Sequence, residues 1–343
     1  MTTVRAATNG YFPRPEYVIE TLKDVEGYQK GDLGPEAEER VGDVFEQGRE
    51  ELIALQRDAG IDVATEGQLS WDDITAYPAT RFEGVEMGGI TRYYDNNRFY
   101  RQPQYVDAVE YGDQITVEQY RSAAEAADEA AVTGGDGASI VKAVMAGPYT
   151  LARMGTDEHY GDAHALYDAL ADVVNEELAA LDDEGADVIQ LDEPSLTGVN
   201  EDGVDVEGAA AAVERAVEGV EADVVVTTYF GAIQEAYPAL LDAGVDGVGL
   251  DLVAGEQGNL AALREHGAPD LLSVGAMDAR NTRVESLDEL TATAEGAVAA
   301  GDEGGSAPGE LHVAPNSGLD FLPFSVMEEK LPVLGDAAEE VSV

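Results

Sequence analysis

Eight short, β-rich apolar runs punctuate this chain, and most neighbouring runs are separated by a stretch of helical periodicity. The runs occupy residues 4–8, 61–65, 139–145, 187–191, 223–228, 247–251, 271–275 and 311–315. Between them, residues 163–184 and 206–221 place Leu, Ala and Val at three- and four-residue steps, with Asp and Glu opposite. Alternation of this kind demands parallel strands joined by helical crossovers. Eight units in 343 residues fit an α/β fold of one (β/α)8 TIM barrel over residues 1–343. A doubly wound open sheet competes, but for most cofactor uses it needs a Gly-rich turn after its first strand. The segment from Asn9 to Arg14 is not such a turn. One long insertion, residues 70–115, follows the second strand and is rich in Tyr, Asn and Arg. It is expected to lie over the barrel mouth.

Charge narrows the function. Seventy Asp and Glu face 19 Lys and Arg, a formal net charge of −51. Such a surface repels nucleic acid and anionic lipid. Only four of the cations are Lys (Lys23, Lys30, Lys142 and Lys330), the others being Arg. Short, well-hydrated carboxylates in place of Lys stems suit a cytoplasm of molar salt, where the Debye length is about 3 Å. The expectation is a salt-adapted cytoplasmic protein. Cysteine is absent, which excludes disulfides, thiolate metal sites and Cys nucleophiles. No apolar run reaches membrane-spanning length, and residues 1–10 lack the features of a secretory leader.

In a barrel the residues just after each strand share one face. Here they include Arg14, Gln68, Trp71, Asp72, Lys142, Asp192, Glu193, Tyr229, Asp251, Asp278, Arg280, Asn316 and Ser317. The ring mixes carboxylates with scattered cations and reads as a pocket for a small zwitterionic or amide-rich molecule. Any single Asp could equally be a helix cap. Lys142, set among apolar residues, requires a partner. The four histidines lack metal-ligand spacing and are read as structural.

Several segments resemble the cobalamin-independent methionine synthase family. Residues 188–196 (VIQLDEPSL) are similar to its Asp-Glu-Pro strand end, and residues 314–319 (APNSGL) to its late Asn-Pro motif. Residues 142–150 (KAVMAGPYT) resemble its Lys…Gly-Pro-x-Thr run. Residues 227–230 (TTYF), 249–253 (GLDLV), 275–281 (GAMDARN) and 91–97 (TRYYDNN) are closest to its N-terminal barrel. The likeness extends in order from Phe12 to Ser317.

This resemblance implies a TIM barrel acting in methyl transfer from methyltetrahydrofolate to homocysteine, with no tightly bound cofactor. The family's catalytic barrel binds zinc through His, Cys, Glu and Cys, and those positions fall on Thr228, Phe230, Asp251 and Ser317. Only Asp251 could ligate, so no metal site is expected. A separate zinc-bearing barrel would then be the partner that activates the thiol. By the same resemblance, Arg92 stands where a basic residue contacts the folate's glutamate tail. Arg14 and Lys23 correspond to a second tail contact, and Asp192 to the residue holding the homocysteine amino group. Arg81, Arg92, Arg98 and Arg101 read either as a cationic patch for the tail or as partners of nearby acids. Trp71, the only tryptophan, would cover a pterin or fill the barrel top. Two alternatives remain: a catalytically silent folate-binding or scaffold subunit, and a uroporphyrinogen-decarboxylase-like or corrinoid methyl-transfer member of the wider superfamily. The few basic residues count against a porphyrin substrate, and the missing ligands against zinc-dependent corrinoid chemistry.

Overall fold

The computed structural model describes residues 2–25, 33–94, 96, 98–134, 140–197 and 203–343. Of the residues read above, Lys30, Asp95, Asn97 and Ser139 lie outside them. The strands are β1 (Thr3–Ala6), β2 (Val63–Thr65), β3 (Phe82–Arg92), β4 (Phe99–Tyr111), β5 (Ile140–Ala146) and β6 (Thr156–Asp157), then β7 (Val188–Asp192), β8 (Asp223–Thr227), β9 (Gly247–Asp251), β10 (Leu271–Met277) and β11 (Glu310–Pro315).

Eight of them form one parallel sheet in the order β1-β11-β10-β9-β8-β7-β5-β2. A bridge between Ala7 and Val63 joins the first and last strands, so the sheet curls into a barrel. These eight are the eight apolar runs of the sequence. Helices follow as the alternation requires, among them Pro35–Asp58, Ala163–Asp183, Val206–Ala216, Glu256–His266, Leu287–Glu303 and Phe324–Glu340. Asp162, Asp205 and Ser286 cap three of them, Ser286 within a capping box with Glu289.

The barrel interior changes character along its axis. Val188, Val225 and Leu271 pack together with Ile140, and Ala7, Val63 and Ala314 form a second apolar group. Two residues further along their strands stand Lys142, Gln190 and Ser273, pointing the same way by the alternation of a strand. Ser273 pairs in register with His312. The inside thus passes from an apolar layer to a polar one at Lys142, Gln190, Ser273 and His312, towards the strand ends where ligands enter barrels, while Arg5 and Glu310 pair at the starts of β1 and β11 and Glu310 reaches His312.

The insertion at 70–115 is a β-hairpin, β3 against β4, with β6 beside it. Gly84 permits its first register shift: its φ is +77°, and a Cβ there would strike the Ala108 carbonyl. The hairpin is tied down at its base by Glu177. This fully buried carboxylate accepts the Tyr111 hydroxyl at 2.6 Å and the N–H groups of Ile115 and Thr116 at 2.9 and 2.6 Å. Tyr100 and Tyr105 donate their hydroxyls to the carbonyls of Met154 and Leu151 at 2.8 and 2.7 Å. The tip is thereby held over the strand ends.

Candidate active site at the barrel mouth

Asp192 ends β7 and faces a cavity of about 260 Å³ under the hairpin. Its Oδ1 accepts Gln190 Nε2 at 2.7 Å, and its Oδ2 lies 3.4 Å from the Tyr229 hydroxyl. Burial pushes this carboxyl up to about 7, opposed by the Gln190 bond and the Lys142 charge. Tyr229 in turn meets the Tyr93 hydroxyl at 3.3 Å. The aromatic walls come from three places: Tyr93, Phe99 and Tyr100 from the hairpin, Tyr229 after β8, and Tyr11 and Phe321 from the loops after β1 and β11. Tyr93 and Tyr100 stand nearly perpendicular, centroids 6.1 Å apart.

Polar groups complete the wall. Arg98 pairs with Asp320 and lies over the Phe321 ring at 4.4 Å. Burial raises Asp320 to about 6, against the pull of Arg98. Asp73 spends one oxygen on the N–H groups of Thr75 and Ala76 at 2.8 and 2.6 Å. Beneath the floor, Lys142 is 1% exposed and donates to Asn9 Oδ1 at 3.4 Å. Burial pulls its ammonium down to about 7, while Asp192 holds it up. Glu193, also pushed up to about 7 by burial, takes the N–H groups of Tyr149 and Thr150 at 2.9 and 2.7 Å. It anchors the first turn of helix Pro148–Met154 and leaves the cavity to Asp192.

Backbone strain gathers here. Non-glycine residues with positive φ among those described are Tyr11 (48°), Gln68 (51°), Tyr94 (49°) and Phe230 (76°). Tyr11 lines the cavity, Tyr94 and Phe230 follow Tyr93 and Tyr229, and Gln68 lines an adjoining cavity. Such conformations persist where surrounding structure enforces them, and they aim the neighbouring side chain.

The predicted residues divide into four groups. Asp192, Tyr229 and Asp72 meet in the first cavity. Arg14, Gln68, Trp71 and Asp72 meet in the adjoining one, of about 440 Å³, which shares Tyr11, Arg98 and Asp320 with the first. There Arg14 spends its donors on the carbonyls of Leu69 and Trp71. Trp71 stacks on Tyr77 with centroids 4.6 Å apart. Lys142, Asp251 and Ser317 are buried below the floor. Lys23, in the last turn of helix Glu16–Asp24, and Arg92 are exposed and line neither cavity. The four arginines do not form one patch. Arg81 lies over Tyr77, Arg98 enters the cavity, and Arg92 and Arg101 occupy the outer face of the hairpin. Tyr11, Asp73, Tyr93, Tyr100, Asp320 and Phe321 were not singled out as site residues from the sequence; the hairpin register supplies two of them.

The four positions aligned with zinc ligands do not suit a metal. Thr228 Oγ1 donates to the Gly249 carbonyl at 3.0 Å, Ser317 Oγ points to the Gly318 carbonyl at 3.4 Å, and Phe230 has no donor atom. Asp251 already accepts the N–H groups of Phe230, Val253 and Ala254 and the Asn316 amide, at 2.9, 2.9, 2.8 and 3.1 Å. Among the described residues, no group of three or more His, Cys, Asp and Glu could hold a metal ion.

Residues 79–300 match the family described as cobalamin-independent synthase, N-terminal domain. The chain belongs to the cobalamin-independent methionine synthase family. A methionine synthase of Saccharolobus solfataricus is 27% identical over 325 residues, covering 94% of this chain and 90% of that protein. That of Sulfurisphaera tokodaii is 27% identical over 323 residues, covering 94% and 88%. Among solved structures, a B12-independent methionine synthase from Shewanella sp. W3-18-1, in complex with selenomethionine, superposes with a TM-score of 0.79 at 22% identity. That match covers 98% of this chain and 97% of the other. A putative vitamin-B12 independent methionine synthase from Listeria monocytogenes gives 0.72 at 15% identity, covering 100% and 99%. At these identities the two likenesses concern the fold of the barrel.

Proposed function

We propose that this chain is the folate-holding barrel of a two-chain methionine synthase. A methyl group passes from methyltetrahydrofolate to homocysteine, whose thiolate is made on a separate zinc-bearing barrel. One observation carries the reading: the strand-end mouth keeps a walled cavity with a buried carboxylate, Asp192, while the metal positions are filled by Thr228, Phe230, a saturated Asp251 and Ser317. Zinc lowers the pKa of a bound thiol, so a chain without that donor set needs the activation done elsewhere.

The cavity is smaller than the usual range of about 300–1,000 Å³ for drug-sized ligands, and it suits one end of a folate. In this reading the pterin lies between Tyr93, Tyr100 and Tyr229, and the benzoyl group leaves past Phe99, which is largely exposed on the rim. Arg92 pairs in register with Phe99, and Ile90 with Arg101. Both guanidinium groups therefore stand on the outer strand face where a glutamate tail would run, and Arg meets carboxylates two-pronged. A salt-rich cytoplasm is part of the proposal and rests on composition; among the described residues no helix is long and apolar enough to cross a membrane.

Calorimetric titration with polyglutamyl and monoglutamyl methyltetrahydrofolate tests this directly. Binding of both, tighter for the longer tail, supports it. No binding of either favours the scaffold role.

A further inference from the structure

The cavity has a chemical bias that the folate reading does not require. Five aromatic residues line it, Tyr11, Tyr93, Tyr100, Tyr229 and Phe321, with the largely exposed Phe99 at its rim. Four carboxylates also face it (Asp72, Asp73, Asp192 and Asp320) against one cation, Arg98, and Arg98 is already paired with Asp320. The Tyr11 hydroxyl is buried with no hydrogen-bond partner. Ring faces attract cations, best of all weakly hydrated ones that carry methyl groups rather than N–H donors. A mouth built this way is rich in aromatic surface and carboxylates and short of positive charge.

We infer that this cavity selects a methyl-bearing onium centre: a quaternary ammonium, a sulfonium, or the protonated N5 of a methylated reduced pterin. The inference rests on the cavity being the methyl-donor site and narrows what that site recognises. The rings supply faces on more than one side, since Tyr93 and Tyr100 are set at 82°. Asp192, at the end of β7, and Asp320, after β11, supply the countercharge. Their carboxyls, and that of Asp73, are all held above their ordinary values by burial, which outweighs the nearby Lys142 charge on Asp192 and the Arg98 charge on Asp320. The bias also suits the chemistry. When a thiolate attacks the methyl carbon, the new S–C bond forms as the old bond to nitrogen or sulfur breaks. The electron pair stays on the departing heteroatom, which leaves neutral, and the positive charge disappears with the thiolate's negative charge.

The test compares choline with its neutral isostere, in which carbon replaces the nitrogen, by calorimetric titration of the intact chain in molar salt. Methyltetrahydrofolate is titrated in parallel. The inference predicts that choline binds roughly tenfold more tightly than the isostere or better. Tyr93→Leu and Asp192→Asn should remove that preference, while Tyr93→Phe, which keeps the ring face, retains it. Equal affinity for choline and isostere overturns the inference without needing any variant. Folate binding that ignores these substitutions, with no choline binding, overturns the inference and leaves the folate reading standing. Failure of all three ligands overturns both. Choline binding without folate binding supports the onium site and assigns the donor to a sulfonium or quaternary ammonium compound.

Discussion

The Asp251 carboxylate accepts the backbone N–H of Phe230 at 2.9 Å. Two positions that align with metal ligands are thus bonded to each other through Oδ2, and Oδ1 of Asp251 accepts from Val253, Ala254 and Asn316. The carboxylate is a knot that fixes the loops after β8 and β9. Elemental analysis of purified protein should find far less than one zinc per chain. A stoichiometric, tightly held zinc would contradict this. Asp251→Asn turns one acceptor into a donor facing N–H groups and should cost about 2–4 kcal/mol of stability, read from the urea midpoint.

Stability should dip near neutral pH. Asp192 and Glu193 titrate near 7 and Asp320 near 6, each raised first by burial; in the unfolded chain they titrate near about 4. Between about pH 4 and 7 the native state binds more protons, so its stability falls as pH rises. Lys142 is pulled down to about 7 by burial. Between about pH 7 and 10 the unfolded chain binds its proton more tightly, and stability rises again. Urea unfolding at fixed molar salt should trace this minimum, and Asp192→Asn should flatten the acidic limb. A monotonic profile across neutrality would contradict the assignment.

Arg92 is the residue to test for the folate tail. It is exposed on the hairpin's outer face beside Phe99. Arg92→Ala should weaken polyglutamyl folate by about two- to fivefold, as expected for an exposed charge pair, and leave monoglutamyl folate nearly unchanged. The effect should shrink as salt increases. Equal losses for both ligands would remove Arg92 from the tail site.

The net charge of −51 predicts that the fold requires roughly molar KCl or NaCl. Many cations are already committed to surface pairs such as Arg121–Glu184, Arg215–Asp172 and Arg283–Glu289, so most carboxylates repel unopposed. Thermal melts should shift strongly upward between dilute buffer and molar salt. An unchanged melting temperature would refute the salt-adapted reading.

The barrel was legible because parallel strands buried on both faces read as continuous apolar runs, such as residues 223–228 and 271–275. The hairpin was legible only as an insertion. Its alternation is broken by Gly84, by Gly88 and Gly89, and by Pro103, and most of its residues are only half-buried or exposed. For the same reason Arg92 and Arg98 could not be told apart in the sequence. They lie on either side of the turn: Arg92 pairs with Phe99 and Arg98 with the cavity-lining Tyr93, and only that pairing separates them. Asp192 and Tyr229 could be placed at the mouth because a strand end fixes where a side chain emerges. Asp320 and Phe321 were missed because a short 3-10 turn, Leu319–Phe321, carries them back over the mouth.

The central claim is that this barrel supplies methyl-donor binding to a separate thiol-activating barrel. The direct measurement is methionine formation from homocysteine and polyglutamyl methyltetrahydrofolate by a zinc-bearing methionine synthase barrel from the same cell, with and without this chain. The account predicts no product from this chain alone and a strong rise in rate when it is added to the zinc barrel. Asp192→Asn should abolish that rise. Methionine formed by this chain alone, or a zinc barrel equally fast without it, would contradict the account.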